Sequence, residues 1–278
     1  MKLGFVTCVQ IGLSCMEAIY EIEGKLEVII SIPDERATKK SGRIYVDEFA
    51  NKHSIPVVKT NHINDQLAID TIKEYNLDWL FIIGWSQIAS EEVIATPNKG
   101  AIGAHPTLLP VGRGRSAIPW AIIKGLDQTG VTFFKMDKGV DTGLVLGQQI
   151  VPILSDETAT TLYGKVNNAH EILIKNLYKD LEADTVQGKI QDESKATYWE
   201  GRKPKDGELS LFMTMEQVDR LVRATAKPYP GAFYMNGDKK IIIWEGFTSL
   251  NSKEKNDLFE LKLQDGYFYA DRFDVVKE

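Results

Sequence analysis

The chain has 278 residues with a formal net charge of −6, and 43% of them are hydrophobic and 26% charged. This is the composition of an ordinary globular protein, no apolar run approaches the roughly 20 residues of a membrane helix, and the length suits a large domain with a smaller one. The acidic charge argues against DNA and tRNA as partners, because nucleic-acid-binding proteins usually carry a basic face that neutralises phosphates.

The first two thirds of the chain alternate short apolar runs with amphipathic helical patterns. The apolar runs predict strands over Leu3–Cys8, Leu26–Ile32, Pro56–Val58, Trp79–Ile83, Gly100–Ala104, Thr129–Met136 and Gln148–Pro152. The helical patterns are Ser14–Glu23 with a serine cap, Tyr45–His53, Asp65–Tyr75, Glu91–Ala95, Ser116–Lys124 and Thr160–Glu182. Strands separated by helices of this length predict an α/β fold with a doubly wound, mostly parallel sheet.

After Gly188 the character of the sequence changes. Residues 192–207 are polar and rich in Lys, Gly and Pro, and a helical pattern follows over Met215–Ala226. The remaining short runs predict strands over Ala232–Met235, Lys239–Trp244, Leu258–Leu263 and Tyr267–Ala270. The Asn-Gly-Asp sequence at 236–238 is a strong hairpin signal. We predict a catalytic domain over 1–190, a linker over 191–207 and a small β-rich C-terminal domain over 208–278.

Several local features predict absences. The apolar start at residues 3–6 lacks the longer core and cleavage site of a signal peptide, so we expect a cytoplasmic protein with no membrane partner. The basic stretches 36–40 and 202–205 are short, and we interpret them as solvated loops. Cys8 and Cys15 are expected to be reduced thiols. The four histidines are scattered without metal-ligand spacing, which predicts no metal site.

The segment from Gly100 to Gly147 carries the chemistry. His105 follows a short apolar run, a loop rich in Pro, Gly and Arg comes next, and an acidic glycine loop at 137–143 contains Asp141. A histidine and a carboxylate on loops after two strands of an open α/β sheet can meet at one crevice. Such a pair suits proton transfer around an acyl or formyl carbon.

Three blocks in this segment resemble the formyltransferases that use N10-formyltetrahydrofolate. They are HPTLLPVGRGRSAIPW at 105–120, TGVT at 129–132 and MDKGVDTG at 136–143. The stretch RATAKPYPGAF at 223–233 is similar to the entry of that family's C-terminal domain. The resemblance implies a Rossmann-like catalytic domain, a small β-rich C-terminal domain, a folate cosubstrate and a homodimer formed through the C-terminal half.

The resemblance also implies roles for particular residues. His105 and Asp141 are the predicted catalytic pair, although Asp141 could also be a simple turn or cap residue. The predicted folate-binding residues are Trp85, Ser86, Gln87, Ile88, Met136, Asp137 and Arg113. Trp85 could equally serve core packing. Asp137 also fits a structural role in a turn, and the alternative for Arg113 is a solvated loop, although Arg113-Gly114 matches the family pattern. Thr107 and Arg115 are further candidates for contact with substrate. Arg113 and Arg115 could each meet an anionic group, either the glutamate of the folate or the phosphates of a sugar nucleotide.

Gly103 departs from the family pattern, which is asparagine, any residue, histidine, whereas this chain reads Gly-Ala-His at 103–105. The asparagine normally helps to hold the formyl oxygen as charge develops on it. Because glycine offers no side-chain donor, we consider as substitutes the hydroxyl of Thr107, a backbone N–H or a bound water.

The linker sequence GRKPKDG at 201–207 is similar to that of enzymes that formylate nucleotide-linked 4-amino-4,6-dideoxy sugars. We therefore expect a sugar-nucleotide N-formyltransferase of surface glycan synthesis, with a sugar nucleotide and a folate as its small-molecule partners. The alternatives are a methionyl-tRNA formyltransferase, which the charge disfavours, a formyltetrahydrofolate hydrolase, and an inactive folate-binding protein. Gly12 lacks a GxGxxG context, which argues against a nicotinamide enzyme.

Overall fold

The computed structural model describes residues 1–35, 43–252 and 257–277. The basic stretch 36–40 lies outside the described residues, so its interpretation as a solvated loop stays a prediction. The elements in chain order are β1 (Leu3–Val6), α1 (Gln10–Glu21), β2 (Val28–Ser31), α2 (Asp47–His53), β3 (Val57–Lys59), α3 (Gln66–Glu74), β4 (Trp79–Ile82), α4 (Glu91–Ala95), β5 (Gly100–His105), β6 (Arg113–Gly114), α5 (Ala117–Ile123), β7 (Gln128–Lys135), β8 (Leu144–Pro152), α6 (Ala159–Glu182), β9 (Tyr198–Trp199), α7 (Met215–Ala224), β10 (Ala232–Asn236), β11 (Lys239–Ser249), β12 (Phe259–Lys262) and β13 (Tyr267–Lys277).

Seven strands form one sheet in the order β3-β2-β1-β4-β5-β7-β8. The strands from β3 to β5 are parallel, and β1, β2 and β4 are buried along their whole length because helices cover both faces. The direction reverses between β5 and β7, where Gly103 is opposite Phe134 and His105 is opposite Thr132. The predicted doubly wound, mostly parallel sheet is therefore confirmed, with an antiparallel pair at the strand that ends in the candidate histidine.

The strand order reverses between β1 and β4, and ligands of open α/β sheets bind outside the carboxyl ends of the strands at such a point. The loop after β4 and the end of β5 both lie at this edge because the two strands are parallel neighbours. The fold thus brings the predicted folate loop at 84–88 and His105 to the same edge of the sheet.

The first helix begins earlier than predicted. Helix α1 starts at Gln10 with Val9 as its N-cap, and no side chain caps it. Ser14 lies inside the helix and is buried, and its hydroxyl accepts hydrogen bonds from Gln10 Nε2 at 3.2 Å and Asn167 Nδ2 at 3.1 Å. The serine-cap prediction was wrong because a serine also fits a helix interior where neighbouring amides satisfy its hydroxyl. Cys8 and Cys15 are buried thiols, as predicted.

The chain divides into two compact units. The first unit comprises residues 1–114, 130–151 and 166–198, and the second comprises 115–129, 152–165 and the chain from 199 onward. The second unit contains an antiparallel sheet in the order β10-β11-β13-β12 with α7 packed on it. Helix α7 starts in a capping box between Thr214 and Gln217, and Gly237 supplies the positive φ that the β10–β11 turn requires. The predicted small β-rich domain is confirmed.

Within the described ranges, no helix is long and apolar enough to cross a membrane.

Candidate active site

His105 is the last residue of β5 and is buried, with 7% of its surface exposed. Its Nε2 lies 2.7 Å from the carbonyl oxygen of Gly112. A carbonyl only accepts hydrogen bonds, so Nε2 carries the proton and donates it. The neutral imidazole then has its lone pair on Nδ1, which is the nitrogen left for proton transfer.

Asp141 faces that nitrogen. Its Oδ2 lies 3.6 Å from His105 Nδ1 and accepts a hydrogen bond from the backbone N–H of Gly114 at 2.9 Å. The 3.6 Å separation is too long for a hydrogen bond but close enough for the carboxylate to stabilise a charged imidazole. The structure therefore brings the two predicted catalytic residues together within one unit, with Asp141 oriented by a backbone donor beside Arg113.

Asp137, in the same loop, has a different set of contacts. Its Oδ1 accepts hydrogen bonds from the N–H of Gly139 at 2.9 Å and from the hydroxyl of Thr142 at 2.6 Å. These contacts close a turn within the 137–143 loop, which agrees with a structural role. The predicted contact of Asp137 with folate stays a prediction.

Gly103 has no room for a side chain. A Cβ at this position would lie 2.9 Å from Phe134 Cζ and 3.3 Å from Met136 Cγ. The ring of Phe134 is buried on the antiparallel neighbour β7, so an asparagine at 103 would displace it. The departure from the family pattern is thus matched by the packing of the neighbouring strand.

Thr107 follows His105 by two residues, and Thr132 is opposite His105 on β7. The hydroxyl groups of these two threonines differ in their hydrogen bonds. Thr132 donates to the carbonyl oxygen of Thr107 at 2.7 Å and accepts from Leu109 N at 3.1 Å and Gln148 Nε2 at 2.9 Å. The hydroxyl of Thr107 is buried and finds no hydrogen-bond partner in residues 1–35, 43–252 and 257–277. A buried donor without a partner is costly, and the predicted contact of Thr107 with substrate stays a prediction.

The predicted folate loop at 84–88 is held by packing and hydrogen bonds of its own side chains. Trp85 packs against the apolar cluster around β4 and donates its indole N–H to Gln87 Oε1 at 3.1 Å. Gln87 in turn accepts from Ile63 N at 2.9 Å and donates to Asn61 O at 2.8 Å. Ser86 is exposed, and Ile88 is 77% exposed although it is apolar. Trp85 and Gln87 therefore fix the loop, and Ser86 and Ile88 present the surface that a ligand could contact.

Met136 packs against the same cluster as Trp85, so these two predicted folate-binding residues share one apolar patch. A half-open cleft of about 400 Å³ follows the 137–143 loop and includes Met136 and Asp137 in its walls, together with Ile190 and Gln191. The structure thus provides a concave, partly apolar surface along the loop that carries Asp141.

Arg113 is fully buried, whereas the sequence predicted a loop residue that meets an anion. Its guanidinium donates to Gln191 Oε1 at 2.9 and 3.2 Å, to both oxygens of Glu193 at 2.5 and 2.9 Å, and to Tyr198 Oη at 2.9 Å. The hydrogen bonds to Glu193 raise the pKa of Arg113, so it remains a cation. The alternative of a solvated loop residue is wrong for Arg113, because internal acceptors from residues 191–198 satisfy its charge. Its predicted contact with folate or another anion stays a prediction.

Gln191 is the residue that sequence reasoning missed. It lies in the stretch predicted as linker, yet its side chain contacts both Arg113 and the Asp141 loop. No local signal distinguishes it, because a polar residue in a polar stretch is usually solvated. Arg115, by contrast, belongs to the second unit, where it is exposed and lies beside Gly201. Its predicted contact with substrate stays a prediction.

His170 on α6 is buried behind the site, and its pKa is lowered to about 4 by burial, with His105 adding a smaller repulsion. Its Nδ1–H donates to Val166 O at 2.8 Å, and its ring meets Phe133 edge to face.

We expect the free energy of unfolding to fall by up to about 3 kcal/mol as the pH drops from 6.5 toward 4. In this range His170 is protonated in the unfolded chain but stays neutral in the folded protein, so protonation favours unfolding. Urea unfolding at pH 7 and pH 4.5 measures this loss, and His170→Gln should flatten it. An equally steep pH dependence in a folded His170→Gln protein would assign the effect to other groups.

Among the described residues, no group of three or more His, Cys, Asp or Glu side chains is arranged to hold a metal ion.

Two models of known families match the chain. The family model described as formyl transferase matches residues 21–177, which is more than half of the chain. The model of the formyl transferase C-terminal domain matches residues 202–266. The two models together cover His105, the 137–143 loop and the strands β10, β11 and β12 of the antiparallel sheet.

Solved structures share the fold at low sequence identity. HypX from Aquifex aeolicus in complex with tetrahydrofolic acid has a TM-score of 0.69 and 15% identity, and the match covers 98% of this chain but only 44% of HypX. An N-formyltransferase from Helicobacter canadensis in complex with folinic acid and dTDP-3-aminofucose has a TM-score of 0.70 and 18% identity over 97% of this chain and 98% of that one. The methionyl-tRNA formyltransferase from Clostridium thermocellum has a TM-score of 0.66 and 19% identity over the whole of both chains. With both family models matched and this fold, the chain belongs to the formyl transferase family.

Proposed function

We propose that this protein transfers a formyl group from N10-formyltetrahydrofolate to the primary amine of a nucleotide-linked 4-amino-4,6-dideoxy sugar for surface glycan synthesis. The observation that carries the catalytic part of the proposal is the placement of His105 Nδ1 opposite Asp141, with Nε2 committed to Gly112 O. Only one nitrogen of His105 is left for chemistry, and a carboxylate stands ready to stabilise the cation that proton transfer creates.

The reaction forms a C–N bond to the acceptor amine and breaks the bond between the formyl carbon and N10. The neutral amine attacks the formyl carbon, and the carbonyl oxygen becomes an oxyanion. Nδ1 of His105 takes the proton that the amine loses, the Asp141 carboxylate stabilises the imidazolium, and the same proton passes to N10 as it leaves. His105 and Asp141 are then unchanged after one turnover.

The oxyanion needs a donor that Gly103 does not provide. Thr107 supplies it in this proposal, because its hydroxyl is buried two residues after His105 and finds no partner within the described part of the chain. The alternatives considered from the sequence are a backbone N–H and a bound water, and the next experiment distinguishes Thr107 from these two.

Thr107→Val is expected to lower kcat by roughly 100-fold, which is the cost of removing one oxyanion donor in a studied protease. The free energy of unfolding should stay unchanged or rise slightly, because the substitution removes an unpaired buried hydroxyl. Thr132→Val is the matched control, and it should destabilise the fold by about 1–3 kcal/mol because Leu109 N loses its acceptor. An unaltered kcat in Thr107→Val would place the donor on the backbone or on water.

The choice of acceptor rests on three supports. The linker sequence at 201–207 is similar to that of amino-sugar formyltransferases, and the net charge of −6 disfavours tRNA. A neighbour of the same fold and nearly the same length was solved with dTDP-3-aminofucose and folinic acid, which supports an amino-sugar nucleotide as the class of acceptor, whereas the 4-position of the amine rests on the linker sequence. The methionyl-tRNA formyltransferase match over the full chain keeps tRNA as the second candidate.

The test incubates the protein with N10-formyltetrahydrofolate and a panel of dTDP-, UDP- and GDP-linked amino sugars, with initiator tRNA and water alone as further arms. A gain of one carbonyl group in the mass of one sugar nucleotide supports the proposal and identifies the acceptor. Formylation of tRNA, folate turnover without an acceptor, or folate binding without any turnover would instead favour the tRNA enzyme, the hydrolase or an inactive binding protein, respectively.

We also propose the division into a catalytic domain over 1–190, a linker over 191–207 and a C-terminal domain over 208–278. A cytoplasmic homodimer formed through the C-terminal half belongs to the same proposal. Light scattering of the purified protein against a variant truncated after residue 207 measures whether the dimer depends on that half.

A further inference from the structure

Asp141 adopts a backbone conformation that requires support. Its φ is +57°, in the left-handed region of backbone conformation that residues other than glycine seldom occupy. Residues held there at functional sites persist because their surroundings fix them. The contacts that fix Asp141 therefore control where its carboxylate stands relative to His105.

Gln191 makes the contacts in question. Its side-chain Nε2 donates to two carbonyl oxygens of the loop, those of Asp141 and Gly143, each at 2.8 Å. Both amide hydrogens are thus used on the loop that bears the carboxylate. The side chain is 6% exposed, so water does not compete for these bonds.

Arg113 completes a closed circuit through the site. Its guanidinium donates to Gln191 Oε1 at 2.9 and 3.2 Å, which orients the amide so that Nε2 points to the loop. The next residue, Gly114, donates its backbone N–H to Asp141 Oδ2 at 2.9 Å. The main chain at 113–114 and the side chain of Gln191 therefore hold Asp141 from both its carboxylate and its carbonyl.

We infer that Gln191 is a positioning residue for the Asp141 carboxylate, with Arg113 acting through it. The inference rests on the proposed function for its effect on turnover, but the geometry it describes exists without substrate. It gives the buried Arg113 cation a use other than ligand binding, since the side-chain acceptors of its guanidinium among the described residues all lie within 191–198.

Gln191→Glu is the decisive variant. The carboxylate still accepts from Arg113, so the buried cation stays paired, but it has no hydrogen to donate and sets an anionic oxygen against the carbonyls of Asp141 and Gly143. The loop should move away from this oxygen. Gln149→Glu is the matched control, because it makes the same chemical change on β8, where the side-chain amide donates to the adjacent carbonyl oxygen of Ile150 at 3.3 Å.

The first readout is amide hydrogen exchange at Gly114 in the protein without substrate. We expect the exchange rate of this amide to rise roughly tenfold or more in Gln191→Glu, because its acceptor Asp141 Oδ2 is no longer held, and to stay unchanged in Gln149→Glu. The amide of Leu109, which donates to Thr132 Oγ1, reports whether the fold around β5 is intact. Unchanged Gly114 exchange in a folded Gln191→Glu protein would overturn the inference.

The second readout is the split between kcat and KM once an acceptor is known. Displacement of Asp141 should lower kcat by about 100-fold and leave the KM for the folate near its original value. A rise in KM with kcat unchanged would mean that Gln191 acts on ligand binding, which also overturns the inference. Because exchange is measured without substrate, failure to find any acceptor would count against the proposed function and not against this positioning role.

Discussion

Replacing His105 by alanine is expected to reduce kcat for formyl transfer by roughly 100- to 10,000-fold, the usual contribution of a positioned proton-transfer group. The substitution removes Nδ1, the nitrogen that faces Asp141, and leaves only binding and the oxyanion donor to accelerate the reaction. A steady-state assay with a saturating folate and the acceptor identified by mass spectrometry measures the loss.

The folded state must be checked at the same time, because His105→Ala also leaves the carbonyl oxygen of Gly112 without its donor. We expect a destabilisation of about 1–3 kcal/mol from that oxygen, which a urea titration separates from the kinetic effect. Folate binding should persist. Turnover within about tenfold of the unmodified protein would show that His105 does not transfer the proton.

The partner residue gives a matched pair of variants. Asp141→Asn keeps the shape and the contact with Gly114 N but removes the charge that faces Nδ1, so kcat should fall while the fold stays intact. Asp184→Asn removes an exposed carboxylate that pairs with Lys99 and should leave kcat unchanged. Equal rates in the two variants would show that the Asp141 charge has no part in the reaction.

The sequence predicted His105 and Asp141 as a pair because the motif also shows where these residues lie relative to the predicted strands. His105 comes directly after an apolar run, and Asp141 lies in a glycine-rich acidic loop between two further runs, so both residues are expected near strand ends. The direction of β7 could not be obtained in this way, since an apolar run has the same pattern in a parallel and an antiparallel strand. Its reversal beside β5 is what places Phe134 against Gly103.

The burial and the contacts of Arg113 and Gln191 could not be predicted from the local sequence pattern, for a different reason. An arginine in a loop rich in Gly and Pro is normally solvated, and a glutamine in a polar stretch is too. They are buried because each satisfies the other at 2.9 Å across 78 residues of sequence. Burial of a charge depends on such distant partners, and no window of sequence contains both.

Among small substitutions in the 137–143 loop, Gly143→Ala is expected to lower both stability and kcat the most. A Cβ at 143 would lie 1.7 Å from the carbonyl oxygen of Lys135, which is backbone and cannot rotate away. The 137–143 loop would have to separate from β7, and Asp141, two residues before, would move with it. We expect a loss of about 1–3 kcal/mol in the free energy of unfolding and a fall in kcat of about 100-fold, the cost of displacing a catalytic group by roughly an ångström.

Gly164→Ala is the matched control with the opposite sign. Gly164 is an exposed residue within α6, and a Cβ there meets nothing within 4 Å. Alanine at this position should stabilise the fold by about 0.5–1 kcal/mol, because glycine costs that much in a helix interior. Urea titrations of the two variants therefore should shift in opposite directions. If the urea midpoints of both variants shifted in the same direction, the close approach of the 137–143 loop to β7 would not be the reason for a glycine at 143. The position of Asp141 would then depend on its contacts with Gln191 and Gly114.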